Sequence, residues 1–356
     1  MKTTRPLPKR FPGILVALLA LSLTAAPVAG AAPFAYVSNF GSADVSVIDT
    51  ATSAVVTTVP VGSQPYGVAA NPAGTRAYIA NNGDTSVSVI DSSTNTVVAT
   101  VPGLGAFPSG VAVSADSTRV YVACGDGTVV VIDAASNAVV GSVSTGEALF
   151  GIAVNPAGTR VYVTSFSNNS VIVINASSIS VDTTIGVGFS PAGIGVSPSG
   201  DRVYVANGDG TVAVIDAATN TVVATVAVGS PSLSLLVGLA VSPSGSLVYV
   251  TNAGENTVSV IGAQTNDVLA TVTVGRNPFG VATDSTGARV FVGNAADATV
   301  QVGSSPLAFG AFVAPPIAAD SCDIKNDGDR HRQRRDSKKH NCDDEDEKNE
   351  DHEDPE

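Results

Sequence analysis

From Phe34 onward the chain is a succession of short apolar runs broken by clusters of Gly, Asn, Asp, Ser and Pro. Runs such as Gly67-Val68-Ala69-Ala70, Val87-Ser88-Val89-Ile90 and Val97-Val98-Ala99-Thr100-Val101 are rich in β-branched residues and too short for helices. Turn chemistry such as Asn71-Pro72-Ala73-Gly74 and Ser92-Ser93-Thr94-Asn95 separates them, which predicts short strands joined by tight turns. The third strands, for example Val129-Val130-Val131-Ile132, show no apolar/polar alternation. A sheet buried on both faces reads that way, whereas a solvated two-layer sandwich alternates.

The pattern repeats. An aromatic residue followed by Val or Ile, a small residue, then Asn, Cys or Ser recurs at Tyr36, Tyr78, Tyr121, Tyr162, Tyr204 and Tyr249, with a looser copy at Phe291. The spacings are 42, 43, 41, 42, 45 and 42 residues. Each unit reads as four strands, running from a small-residue strand suited to a crowded axis to strands richer in Val and Ile. The expected fold is all-β: a seven-bladed β-propeller of four-stranded antiparallel blades. A parallel β-helix is the structural runner-up, but its coil is about half this period.

The ends sharpen this expectation. The first copy opens directly at its Tyr36 strand and so lacks an inner strand. Val302-Gly303-Ser304-Ser305-Pro306-Leu307 matches Val61-Gly62-Ser63-Gln64-Pro65-Tyr66. A closing inner strand near Phe309–Val313 is therefore expected, joining N- and C-terminal chain in one blade, while the last blade lacks an outer strand. Such closure leaves no long exposed sheet edge.

Tyr249-Val250-Thr251-Asn252 and Tyr204-Val205-Ala206-Asn207, with Asp216-Ala217-Ala218-Thr219-Asn220 and Val228-Gly229, resemble the YVTN-repeat β-propeller family over about residues 34–313. Blades three and four depart from its motif at Cys124 and Ser165. The resemblance implies an exported bacterial or archaeal protein, surface-layer-type proteins included, with a binding role in the periplasm or at the cell surface. It implies no reaction.

Outside the repeats, Lys2, Arg5, Lys9 and Arg10 precede an apolar run, Ile14 to Leu23, and small residues at Val28 to Ala31. That is the layout of a cleaved secretory signal peptide over 1–31, the run being shorter than the ~20 residues a membrane span needs. The propeller then covers 32–314, and 315–356 is a charged tail of disordered composition. In the tail, a basic cluster from Arg330 to Lys339 precedes an acidic run from Asp343 to Glu356, and Cys322 and Cys342 are spaced to form a disulfide. Cys124 reads as a small buried strand residue.

Charge and composition narrow the chemistry. Residues 32–319 carry 16 acidic side chains against six Arg and no Lys, which disfavours nucleic acid and anionic lipid as partners. All three histidines, His331, His340 and His352, lie in the tail, so a ring-bound imidazole–metal centre or a Ser-His-Asp triad is excluded. Asp49, Asp91, Asp133 and Asp216 end third strands, and Arg76, Arg119, Arg160, Arg202 and Arg289 open second strands. Their recurrence reads as scaffold: the Asp side chains bonding their own turns, the Arg side chains pairing with carboxylates or carbonyls between blades.

A site on a pseudo-symmetric ring must break the repeat. The residue before each inner-strand Gly varies, and Tyr66, Phe150 and Phe279 are read as an aromatic rim at the channel mouth; ordinary packing that plugs the mouth is the competing reading. Glu147 and Arg276 are repeat-breaking charges in the same loops, and Ser230 to Leu236 is a longer loop there. The functional expectation is a non-catalytic, monomeric ring without cofactor that binds a protein or cell-envelope component. The alternative is a lactonase- or hydrolase-like propeller enzyme with a carboxylate-bound Ca²⁺ at the mouth.

Overall fold

The computed structural model describes residues 34–229, 236–297, 299–303 and 312–313, the last two stretches by backbone alone. The leader, the tail with Cys322 and Cys342, and most of the Ser230–Leu236 loop lie outside the described residues. No described helix is long and apolar enough to cross a membrane.

The repeat folds as predicted into antiparallel sheets, or blades: one of three strands and six of four. Blade two sets the plan, with an inner strand Pro65–Ala70, a second Arg76–Asn81, a third Ser86–Asp91 and an outer Thr96–Val101. Inner strands of blades three to seven are Pro108–Val113, Leu149–Val154, Pro191–Val196, Leu236–Val241 and Pro278–Thr283, and each packs against the next around the axis. Proline, which has no N–H to leave unpaired, is tolerated at the first residue of a strand. The chain is an all-β propeller.

The core is divided among the blade interfaces. Seven apolar clusters form, each between neighbouring blades, and the last joins Phe291 of blade seven to Ile48 of blade one. Tyr78, Tyr121, Tyr162, Tyr204 and Tyr249, the aromatic anchors, are among the largest fully buried side chains. Burying such a ring is worth about 2–3 kcal/mol, which accounts for its recurrence. The closing Asn of the motif has a different task. The Asn81 amide donates to Ser86 and Ser88 Oγ, both at 2.9 Å, tying the second strand to the third. Its side chain fills the space a Cβ would need at Gly62, so the Val-Gly and YVTN elements of the repeat are sterically linked.

Blade one differs from the others. Among the described residues its strands are Phe34–Asn39, Asp44–Asp49 and Ala54–Pro60, with no inner strand. Phe34–Asn39 is partly exposed throughout, whereas the second strands of blades two to six are buried beyond their first residue. At the inner-strand glycines Gly67, Gly110, Gly151, Gly193 and Gly238, an added Cβ would come closer than 3.0 Å to the next blade's backbone. At Gly280, on the last inner strand, no atom of the described residues lies within 4 Å. The end of the expected closing strand is corrected: Phe312–Val313 pairs with Thr299–Gly303 as the fourth strand of blade seven, while residues 304–311 lie outside the described residues. The reason is directional. Thr299–Gly303 pairs along Val290–Asn294 and leaves Gly303 beside Val290, at the ring face opposite the one where inner strands begin.

Candidate recognition face

The antiparallel registers put two kinds of loop at the same end of every blade. Pro65 pairs with Asn81, Asn81 with Ser86, and Val87 with Val101. The loop between second and third strands and the loop from outer strand to next inner strand therefore share one ring face, here called the upper face. The turns that end third strands lie on the lower face.

The lower face is regular. Asp91 Oδ1 accepts the backbone N–H of Ser93 and Thr94, and Asp49, Asp133 and Asp216 act likewise in their own turns. Arg76, Arg119 and Arg160 each donate to a carbonyl of the following blade, those of Ala134, Ala176 and Ala217. Arg202 turns back to Asp216 of its own blade. The four Asp turns and the contacts of Arg76, Arg119 and Arg160 between blades match the expected scaffold, whereas Arg202 departs from it.

The upper face is where the copies disagree. Tyr66, Phe150 and Phe279 come from blades two, four and seven, yet their rings meet. The Tyr66 ring lies 5.7 Å from that of Phe150 and 5.5 Å from that of Phe279, both nearly perpendicular. Phe40 adds a fourth ring at 6.2 Å. Edge-to-face pairs of this kind contribute about 0.5–1.5 kcal/mol each beyond burial. The preceding blade pins each backbone: Ser38 donates to the carbonyl of Tyr66, Ser109 to that of Phe150 and Thr251 to that of Phe279. At the equivalent position blades three and five carry only Ser109 and Ala192, which leaves room for the three rings. Burial pushes the Tyr66 phenol pKa upward, so the hydroxyl stays protonated. The rings stand where the inner strands begin and pack on one another, while Tyr66, Phe150 and Phe279 each remain partly exposed.

Glu147 and Arg276 lie in the same loop layer but do not meet. Arg276 Nε donates to Asp297 at 2.6 Å, and the Arg276 side chain is 71% exposed. The Arg276 backbone N–H, then its side chain, hold the Asp297 carboxyl below the usual range. One carboxylate oxygen of Glu147, Oε2, is buried and has no hydrogen-bond partner.

Sequence reasoning missed four residues. Phe40, Phe107, Phe166 and Phe189 are 49%, 62%, 45% and 64% exposed, and all four sit in upper-face loops. Phe189 occupies the position of Ser63, Ala106 and Arg276, its N–H held by Asp209 as theirs are by Asp84, Asp126 and Asp297. Phe107 precedes the inner-strand proline with φ at 57°, where other copies place Gln64, Ser190 and Asn277. A bulky ring in the left-handed region is strained, and Asn there is not. Aligning the loops rather than the strands would have revealed these rings.

Among the described residues no three or more His, Cys, Asp or Glu side chains are grouped to hold a metal ion. Cys124 is buried in its strand, and burial foremost pushes its thiol up to about 12, so it is no thiolate ligand.

With the geometry in place, comparisons give the fold and little more. The Cytochrome D1 heme domain family matches residues 76–187. The stretch contains no His or Met, and its Cys124 is buried as a thiol, so the residues present do not fit axial ligation of a haem by these groups. No curated protein matches the chain. Among solved structures, hydrazine synthase of Kuenenia stuttgartiensis aligns at TM-score 0.70 and 22% identity, covering 77% of this chain and 92% of that one. A functionally unknown protein from Desulfotomaculum acetoxidans aligns at TM-score 0.68 and 17% identity, covering 80% and 99%. The Cps50 (Swd1) β-propeller domain of Myceliophteria thermophila aligns at TM-score 0.63 and 14% identity, covering 72% and 87%.

Proposed function

We propose that this chain is an exported, non-catalytic propeller of the YVTN-repeat kind that recognises a protein or cell-envelope component through its upper face. The observation that carries this reading is the segregation of aromatic rings. All four exposed Phe side chains of the described residues lie on the upper face, and none on the lower. Exposed rings gathered on one face mark interaction surfaces, whereas scattered apolar residues do not. The cluster of Tyr66, Phe150 and Phe279 rings where the inner strands begin supports surface docking over a deep ligand cleft. It also weighs against the carboxylate-bound Ca²⁺ alternative, which needs acidic side chains converging there. The ring acts as a monomer, without cofactor, in the periplasm or at the cell surface.

The test is capture from the native envelope with the full chain and with Phe107→Asn/Phe189→Ser. A partner retained by the natural chain and lost by the variant supports the reading. Equal retention refutes it.

A further inference from the structure

We infer that the partner of the upper face is a basic polypeptide surface, whose Lys or Arg side chains lie on the exposed rings and between the carboxylates around them. This rests on the upper face being the recognition face, as proposed above.

The charge of the two faces differs. Upper-face loops and strand ends carry seven carboxylates, from Asp44 to Asp297, against the single Arg276, which is already paired with Asp297. The lower face carries eight carboxylates against five arginines, and four of each make the turns and joints described above. Asp84, Asp126 and Asp209 each accept a loop N–H, which orders the loop without neutralising the charge. Glu147 is half-buried and its Oε2 receives no donor among the described residues, so no hydrogen bond to that oxygen offsets its charge within the ring.

The rings answer to the same ligand. A phenyl face attracts a cation through its quadrupole, and a surrounding of carboxylates raises the local concentration of cations. Phe107 is held in a left-handed backbone conformation that another residue would adopt more readily, and its ring remains exposed. Strain kept at an exposed ring is explained by docking, since packing within the protein does not use it. Phosphorylated or acidic ligands meet repulsion at this face. A neutral saccharide is the competing occupant, because rings alone would suit it.

Calorimetric titration of the full chain with a short Lys/Arg-rich peptide tests the inference, with an Asp/Glu counterpart and a neutral oligosaccharide as comparators. Saturable binding of the basic peptide is expected, weakened about tenfold by Phe107→Asn/Phe189→Ser, which leaves net charge unchanged. Glu147→Gln is expected to weaken it several-fold, and the lower-face control Asp267→Asn to leave it within about twofold. Thermal unfolding of each variant verifies that it is folded. Binding insensitive to the ring variants, or no saturable binding of the basic peptide, overturns the inference. Preferential binding of the saccharide, abolished by the ring variants, overturns the basic class yet leaves the upper-face reading standing. Envelope capture that survives the ring variants fails both.

Discussion

The two faces of this ring are built from the same repeat and have diverged in opposite ways. On the lower face Asp91, Asp133 and Asp216 each bond their own turns, and Arg76, Arg119 and Arg160 each reach the next blade. On the upper face the position of Phe189 is Ser, Ala, Glu or Arg in other copies, and that of Phe107 is Gln, Ala, Ser or Asn. A joint must be made at every blade interface, so its residues recur. A ligand is asymmetric and meets the ring once, so the residues that hold it differ between copies.

The comparison can be broken most severely at the axis, which both faces share. Gly67→Ala would drive a Cβ into the backbone of Ser109 and is expected to cost about 3 kcal/mol, whereas Gly280→Ala should cost less than about 0.5 kcal/mol. Urea denaturation of the two variants checks this. A large cost at Gly280 would mean that a strand occupies the inner position of blade one in solution.

Next in size is a lower-face joint. Arg160→Met removes the hydrogen bond to the Ala217 carbonyl and should cost about 1 kcal/mol, with partner binding unchanged. A loss of binding at constant stability would place recognition on the wrong face. Phe107→Asn should act in the opposite sense, stabilising the fold by about 1 kcal/mol by relieving a left-handed Phe while weakening binding.

The smallest effect near neutral pH is that of the turn carboxylates. Hydrogen bonds, first from the Thr219 backbone and then from Arg202, hold Asp216 at about 2. Asp91 and Asp133 are lowered chiefly by the Ser93 and Ser136 hydroxyls. A depressed carboxyl stabilises the fold above its unfolded value of about 4 and loses that contribution as pH falls through the folded value. Thermal stability should thus be flat above about pH 5 and decline from about pH 4 toward pH 2, with a smaller decline in Asp216→Asn.

The frame of the molecule was legible in the sequence because every blade states it again. The Tyr anchors, the Asp turns and the joints of Arg76, Arg119 and Arg160 could be read by superposing copies, while Arg202 turned to its own blade. The end of the closing strand was not legible. Residues 302–307 match 61–66 in sequence, but a match does not carry strand direction, and the register of Thr299–Gly303 leaves Gly303 at the opposite face. The candidate site was half legible. Tyr66, Phe150 and Phe279 were found because they share one strand position, yet their packing on one another depends on ring diameter and on the small residues at Ser109 and Ala192. The exposed rings escaped because each stands in a loop beside the strand motif: Phe40 and Phe166 in the column just after the second strand, Phe107 and Phe189 one and two residues before the inner-strand proline.

Phe107→Asn/Phe189→Ser, assayed for partner affinity and unfolding temperature on the same preparation, tests the division of labour between the faces most directly. The account predicts affinity reduced about tenfold with an unfolding temperature equal to or above that of the natural chain. Unchanged affinity in a folded variant would contradict it.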